Sequence, residues 1–384
     1  MTDALIETAR SFAPELADRA AAIEQARAVP QDLADRLAAA GLYGLCVPES
    51  LGGAQAHPLI FLKVIETLSA ADASTGWCVN IGATSGLVAA YLEPEAARAI
   101  FAPGTIVAGV FAPMGKAVRE GGDSYRVSGR WNWGSGSLNA QWIMGGSMVM
   151  GDDGKPERVG RVPNSRMMIV PRSEVEIADS WQVMGLNGTG SNQFAITGAL
   201  VPHARSVALA TDAPREAGAL YAFPAFGLLA IGIAAVALGI GQGALDEFVT
   251  LAGAKTPQYS SRSLANRPQA QLRFAEAQAG IAAARAFLHD AVESAYAVAA
   301  REGAIPDAVR ARVRLAASHA TKACAEAVTT LYTEAGGTSV FLETPLQRRF
   351  RDVHVATQHL MVSGTTFELA GRVLLGVETD TAML

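Results

Sequence analysis

The sequence predicts a mainly helical α+β protein in three segments: a helical one over residues 1–105, a β-rich one over 106–215 and a second helical one over 216–384. Three observations carry this. Apolar residues recur at helical spacing in both outer segments, and between them the rhythm changes to period two in short runs separated by Gly, Asp, Asn and Pro. A charge-free run from residue 217 to 245 then opens the last segment.

In the first segment, residues 14–28 and 32–40 have helical periodicity, with Pro14 at a first helical position and Pro30 separating the two. Gly41 ends the second helix. Pro58 opens another, to about Ala71; a Gly/Ala/Ser-rich helix spans residues 76–92, and Pro94 starts the next. The middle segment has β-rich runs at 106–111, 125–133, 141–150, 167–170 and 194–201, as a small barrel or sandwich needs. Residues 151–163 read as a polar surface loop and 202–215 as a linker. The last segment continues as long helices over 246–254, 268–301 and 306–335.

Composition narrows the function. The chain is half hydrophobic and 17% charged, with a net charge of −5 and a pI near 5.8, so it has no basic face for nucleic acid. Its densest basic cluster, Arg348, Arg349 and Arg351, reads as a solvated or subunit-contact face. The cysteines Cys46, Cys78 and Cys324 are far apart and in no metal-ligand spacing, which suits buried thiols in a reducing cytoplasm and no metal site. Acids in the N-terminal MTDALIETAR argue against an export signal. The charge-free run is long enough to span a membrane, but Pro224 breaks it early. Gly227, Gly232, Gly239, Gly241 and Gly243 fit the buried helix of a bundle instead.

Three stretches carry candidate chemistry. In residues 334–376, Gly336-Gly337 ends a helix, and Thr344 with Gln347 forms a capping box around Pro345 at a first helical position. That helix is expected to run to about Val362, stopping at Gly364, with Thr365-Thr366 capping a last helix that ends near Gly376. On it His359 and Ser363 share a face, while His354 lies about 140° away, the position of a structural histidine. In the second stretch, GRWNWGSGSLNAQW, glycines let backbone approach a planar ligand, Trp133 can cover a ring and Ser135 can donate or accept. A core tryptophan beside a turn is the alternative. The third is WQVMGLNGTGSNQ, with Thr189 and Ser191. No Gly-rich run fits a dinucleotide fingerprint after a strand.

Together with AAAGLYGLCVPESLGG near the N-terminus, these stretches resemble the acyl-CoA dehydrogenase superfamily of flavoproteins over nearly the whole chain. The resemblance implies an N-terminal helical domain, a central small β-barrel, a C-terminal four-helix bundle and a homotetramer. It places Trp133 and Ser135 at the flavin, Thr189 and Ser191 against flavin or substrate, and a neighbouring subunit's Gly336-Gly337 at the flavin tail if the cofactor is FAD. Two departures stand out. Where the dehydrogenases carry their glutamate base before the Gly-Thr turn, this chain has Ser363, and their acid- and serine-bearing flavin loop is here FAPMGKA at 111–117.

The spacing of Arg351-Asp352, His354 and His359 resembles instead the branch of two-component flavin monooxygenases, in which a histidine on this helix sits over the flavin. This implies reduced FAD or FMN from a separate flavin reductase, dioxygen, and an aromatic or heteroaromatic substrate. His359 would deprotonate that substrate or organise dioxygen, with Ser135 bonding the flavin and Ser363 beside His359. The alternative is a divergent acyl-CoA dehydrogenase whose displaced base is Glu368. A non-catalytic flavin-binding scaffold is the third reading.

Overall fold

The structure is a computed structural model that describes residues 2–160 and 162–384. Met1 and Arg161, which fall within the N-terminal and surface-loop readings, lie outside the described residues.

The N-terminal segment folds as α1 (Thr2–Ala26), α2 (Gln31–Ala39), α3 (Pro58–Ala71), α4 (Ala73–Ser85) and α5 (Pro94–Ile100). Pro58 and Pro94 occupy first-turn positions, where a missing N–H costs nothing. Pro14 does not: it lies inside α1, which begins twelve residues earlier than expected at Thr2. The expected helix over 76–92 tightens after Ser85 into a 3-10 turn, Gly86–Tyr91.

The middle segment contains β1 (Val107–Glu120), β2 (Ser124–Gly134), β3 (Trp142–Met150), β4 (Arg158–Val159), β5 (Val162–Pro163), β6 (Ser165–Pro171), β7 (Glu176–Ile177), β8 (Asn192–Pro202) and β9 (Ser206–Val207). Seven of them form one sheet in the order β7-β8-β2-β1-β3-β6-β9, with β1 and β3 parallel, while β4 and β5 pair by themselves inside the expected surface loop. Residues 111–117 are therefore strand rather than loop. A register shift between Val110 and Gly115 carries β1 past Pro113.

The C-terminal segment is α6 (Ala219–Ala222), α7 (Ala225–Ala254), α8 (Pro268–Glu302), α9 (Asp307–Ala335), α10 (Pro345–Ala356) and α11 (Gly364–Leu374). Helix α7 holds most of the charge-free run. It passes for a membrane span by length and hydropathy, yet 94% of that window is buried, against α3, α4, α9 and α10. Its glycines make this possible: a Cβ on Gly232 would sit 2.0 Å from Asn80 Oδ1, and one on Gly239 2.5 Å from the Glu66 carbonyl. All three cysteines are buried and free.

Helix α10 differs most from expectation. It starts at Pro345, but the Thr344 hydroxyl turns away to the Thr338 carbonyl and the Gln347 amide donates to the Leu342 carbonyl, so no capping box forms. It stops at Ala356, where the Thr357 hydroxyl donates to the His354 carbonyl. His359 and Ser363 therefore share no helical face; each flanks the single turn Leu360–Val362.

The arginines of α10 are not solvated either. Arg349, 4% exposed, pairs with Glu247 and donates to the carbonyls of Ser69, Ala70 and Ala71 at the end of α3, while Arg348 and Arg351 face Glu24 of α1. Arg349 stays buried, and Arg348 and Arg351 half-buried, because helix-end carbonyls and carboxylates neutralise them.

Candidate active site

The corner that Arg349 clamps launches α4. Asp72 caps the helix, accepting from Thr75 N–H and from its hydroxyl, both at 2.7 Å. Just over one turn later Trp77, 7% exposed, donates its indole N–H to Ser135 Oγ at 3.0 Å. Ser135 in turn contacts Ser191 Oγ at 2.6 Å, and Ser191 contacts Thr189 Oγ1 at 2.7 Å. Thr189 donates to the Leu186 carbonyl at 2.7 Å.

Each hydroxyl has one proton, so the two ends fix the direction of the whole line. Because Thr189 gives its proton to Leu186, Ser191 must donate to Thr189 and Ser135 to Ser191. The three hydroxyls then have lone pairs to offer a ligand and no free proton.

The far end of this line is also fixed. Leu186 adopts a left-handed backbone, φ 52°, and its N–H donates to Asp352 Oδ1 of α10 at 2.6 Å. Burial pushes the Asp352 carboxyl up to about 7, with nearby Asp72 adding to the rise and the Leu186 bond opposing it.

Trp133 is not a core residue. The register shift between Trp131 and Gly134 turns it outward with φ 63° and 62% exposure, whereas Trp131 is fully buried and stacked on Phe194. Left-handed backbone costs a bulky residue energy, which the surrounding turn must offset.

His359 approaches from the other side. Its ring meets Trp77 edge-on, with centroids 5.7 Å apart at 67°, and its Nδ1 accepts from Met361 N–H at 3.2 Å. The neutral ring therefore carries its proton on Nε2. Burial, reinforced by the positive charge of Arg314, holds its pKa down at about 4. Near neutrality His359 is an N–H donor and a weak base.

Residues 2–100 and 231–364 match the family models described as acyl-CoA dehydrogenase, N-terminal domain and C-terminal domain. The flavin-dependent monooxygenase oxygenase subunit HsaA of Mycobacterium tuberculosis is 32% identical over 356 residues, 90% of this chain and 88% of that one. The chain belongs to the acyl-CoA dehydrogenase superfamily, in its flavin-dependent monooxygenase branch. Indole-3-acetate monooxygenase of Pseudomonas putida is 30% identical over 341 residues, covering 88% of this chain and 85% of that one. The crystal structure of HsaA from M. tuberculosis superposes over the full length of both chains with a TM-score of 0.90 and 29% identity. XiaF from Streptomyces sp., solved with FADH2 and glycerol, gives a TM-score of 0.89 at 28% identity, over 98% of this chain and 96% of that one.

The structure thus brings together Ser135, Thr189, Ser191 and His359, with Trp133 at the turn beside them. It does not join Ser363 to this group: the Ser363 hydroxyl bonds the Leu360 carbonyl and Thr365, and it lines a separate groove of about 650 Å³ with His354, Thr329 and Phe367. His354 contacts Thr329 Oγ1 at 3.0 Å and meets the Phe350 ring edge-on. Gly336 and Gly337 lie exposed at the end of α9, where Gly336 has φ 61° and Lys255 Nζ caps the Ala335 carbonyl. Glu368, the candidate displaced base of a dehydrogenase, is exposed on α11. Two residues were not read from the sequence, Trp77 and Asp352. The indole sits in a helix buried almost all round, where periodicity marks no face; the aspartate stands in the Arg351-Asp352 pair, where the spacing attaches no role to it.

Proposed function

We propose that this chain is the oxygenase component of a two-component system: it takes reduced FAD or FMN from a separate flavin reductase and uses dioxygen to hydroxylate or oxidise an aromatic or heteroaromatic small molecule. The observation that carries the reading is the meeting of Trp77, Ser135 and His359 beside the exposed Trp133, with serine at position 363. The names of the relatives, indole-3-acetate monooxygenase and FADH(2)-dependent resorcinol hydroxylase, support an aromatic substrate. Reduced flavin, when bound, supplies the electrons that activate dioxygen.

The residues present suit the planar ring of such a group, and among the described residues no cluster of three metal-ligating side chains occurs. Trp133 would cover one ring face. The lone pairs of Ser135 and Ser191 would accept from a ring N–H, with Thr189 holding Ser191 in place. His359 would hold a proton at Nε2 toward the oxygen atoms; its low basicity favours that role over removing a substrate proton. Trp77, filling the space between Ser135 and His359, would keep water out. Gly336, Gly337 and the exposed Val340, Phe341 and Leu342 support contact with another copy in a homotetramer, at the flavin tail if the cofactor is FAD. Ser363, off this group, would act only through the adjoining turn. On the same reading residues 1–105, 106–215 and 216–384 are domains, the second a small barrel and the third a four-helix bundle, and the buried free thiols suit the cytoplasm.

The test is anaerobic loading with reduced FAD or FMN, then stopped-flow mixing with oxygenated buffer. A long-lived absorbance that precedes the oxidised-flavin spectrum, shortened in His359→Ala and Ser135→Ala, is the expected result. Immediate reoxidation in the native protein, with bleaching of bound FAD by acyl-CoA thioesters, would return the dehydrogenase reading.

A further inference from the structure

Arg314 of α9 is 2% exposed, and among the described residues no carboxylate forms an ion pair with it. A buried guanidinium without a counter-charge is costly, so the groups that hold it matter. Its Nη1 donates to the Met383 carbonyl, its Nη2 to the Met361 carbonyl at 3.0 Å and more weakly to Thr366 Oγ1 at 3.4 Å, and its Nε has no partner.

Met361 is the residue that matters. Its carbonyl accepts from Arg314 while its N–H donates to His359 Nδ1, so a single residue of the Leu360–Val362 turn links the buried cation to the imidazole. Among the described residues, carbonyls and a hydroxyl rather than a carboxylate receive that charge. The turn packs on α7 and α9, and α7 has no charged residue from Ala225 to Leu245. On α9, Arg310 bears on Arg314 with the same sign and itself pairs with Asp307. Trp77 of α4 meets the ring itself, and His354 of α10 is directed to Thr329.

We propose that Arg314 is a positioning residue for His359: it fixes the Met361 residue that selects the Nε2–H tautomer and places a positive charge beside the ring, so that His359 presents an N–H rather than a lone pair to the site. The inference rests on the reading of His359 as a site residue. Its test can be made without flavin.

Imidazole nitrogen and carbon shifts of His359, assigned by their loss in His359→Gln, are followed against pH by NMR in the native protein, Arg314→Lys and Arg314→Met. The native ring should show the Nε2–H signature and a midpoint well below 6.5. Arg314→Met should raise that midpoint by about one pH unit or more and mix the tautomers, with Arg314→Lys restoring the charge but only part of the tautomer preference. The pH profile of reoxidation by dioxygen should move in the same direction. A folded Arg314→Met with an unmoved midpoint overturns the proposal. So does a native midpoint at or above the ordinary imidazole value, a measurement that stands even if Arg314→Met fails to fold. Movement of the His359 midpoint together with an oxygen reaction indifferent to His359→Gln would overturn the site reading while supporting the link between Arg314 and His359.

Discussion

The indole N–H of Trp77, on a helix of the N-terminal segment, donates to the hydroxyl of Ser135 at the end of β2, 3.0 Å away. That one bond ties a helix to the sheet at the place where His359 of the C-terminal segment also arrives. Three distant parts of the chain therefore converge on one indole.

Ser135→Ala removes the acceptor of a buried indole N–H and the donor to Ser191. An unfolding loss of about 1–3 kcal/mol in urea is expected. Ser135→Thr, which keeps the hydroxyl, should recover most of it. If the hydroxyl also faces reduced flavin, Ser135→Ala will in addition shorten the absorbance transient on mixing with dioxygen, and Ser135→Thr will shorten it less.

His359 gives the protein an acid-side weakness with a definite sign. Its pKa falls from 6.5 in the unfolded chain to about 4 in the fold, so above pH 6.5 it is neutral in both states and has no effect. As pH falls from 6.5 toward 4 the unfolded chain takes up a proton that the folded one does not, and stability is lost on the order of 2–3 kcal/mol. Thermal melts of His359→Gln between pH 7 and pH 4 should lack this component; equal slopes for variant and native protein would refute it.

Much of this fold was legible because prolines punctuate it. Pro58, Pro94, Pro268 and Pro345 each open a helix where the sequence places one, and most of the glycine-rich charge-free run lies in the buried α7. The same rule misled at Pro14, which α1 absorbs in its interior, and at Pro113 and Gly115, which β1 passes by a register shift. The site was legible only in part. His359 and Ser135 were named through a family likeness, whereas their meeting point Trp77 sits in α4, buried on every side, where no hydrophobic face stands out. The end of α10 lies at Ala356, well short of the Gly364 stop, and no glycine or proline marks it in the sequence.

Asp352 has the opposite pH behaviour to His359. Its pKa rises from 3.8 to about 7 on folding, so its contribution is fully present below pH 3.8 and is lost as pH rises through 7, when a buried carboxyl must ionise or the chain unfold. Asp352→Asn keeps an acceptor for the Leu186 N–H and removes the ionisation. It should melt at least as high as the native protein at pH 8 and show no such advantage at pH 5. A variant that is less stable at both values would mean that the charge, and not the hydrogen bond, holds the Leu186 turn.

Two glycines of α7 separate helix propensity from packing. Alanine is the better helix former by roughly 0.5–1 kcal/mol, so a glycine in open solvent gains from the change. Gly253 is such a position, where an added Cβ would meet nothing within 4 Å, and Gly253→Ala should raise stability by up to about 1 kcal/mol. Gly239 is not: a Cβ there would meet the Glu66 carbonyl at 2.5 Å, Ser69 Cβ at 2.6 Å and Ala70 N at 2.8 Å, all fixed by the backbone of α3. The helices must then part, and overpacking of this kind costs about 1–3 kcal/mol, more than the propensity gain. Because Ala70 and Ser69 also form the corner that launches α4, Gly239→Ala should displace Trp77 and shorten the transient on mixing with dioxygen, while Gly253→Ala leaves it unchanged. Urea unfolding and stopped-flow traces of the two variants, side by side, decide whether α7 sets the site through the α3–α4 corner.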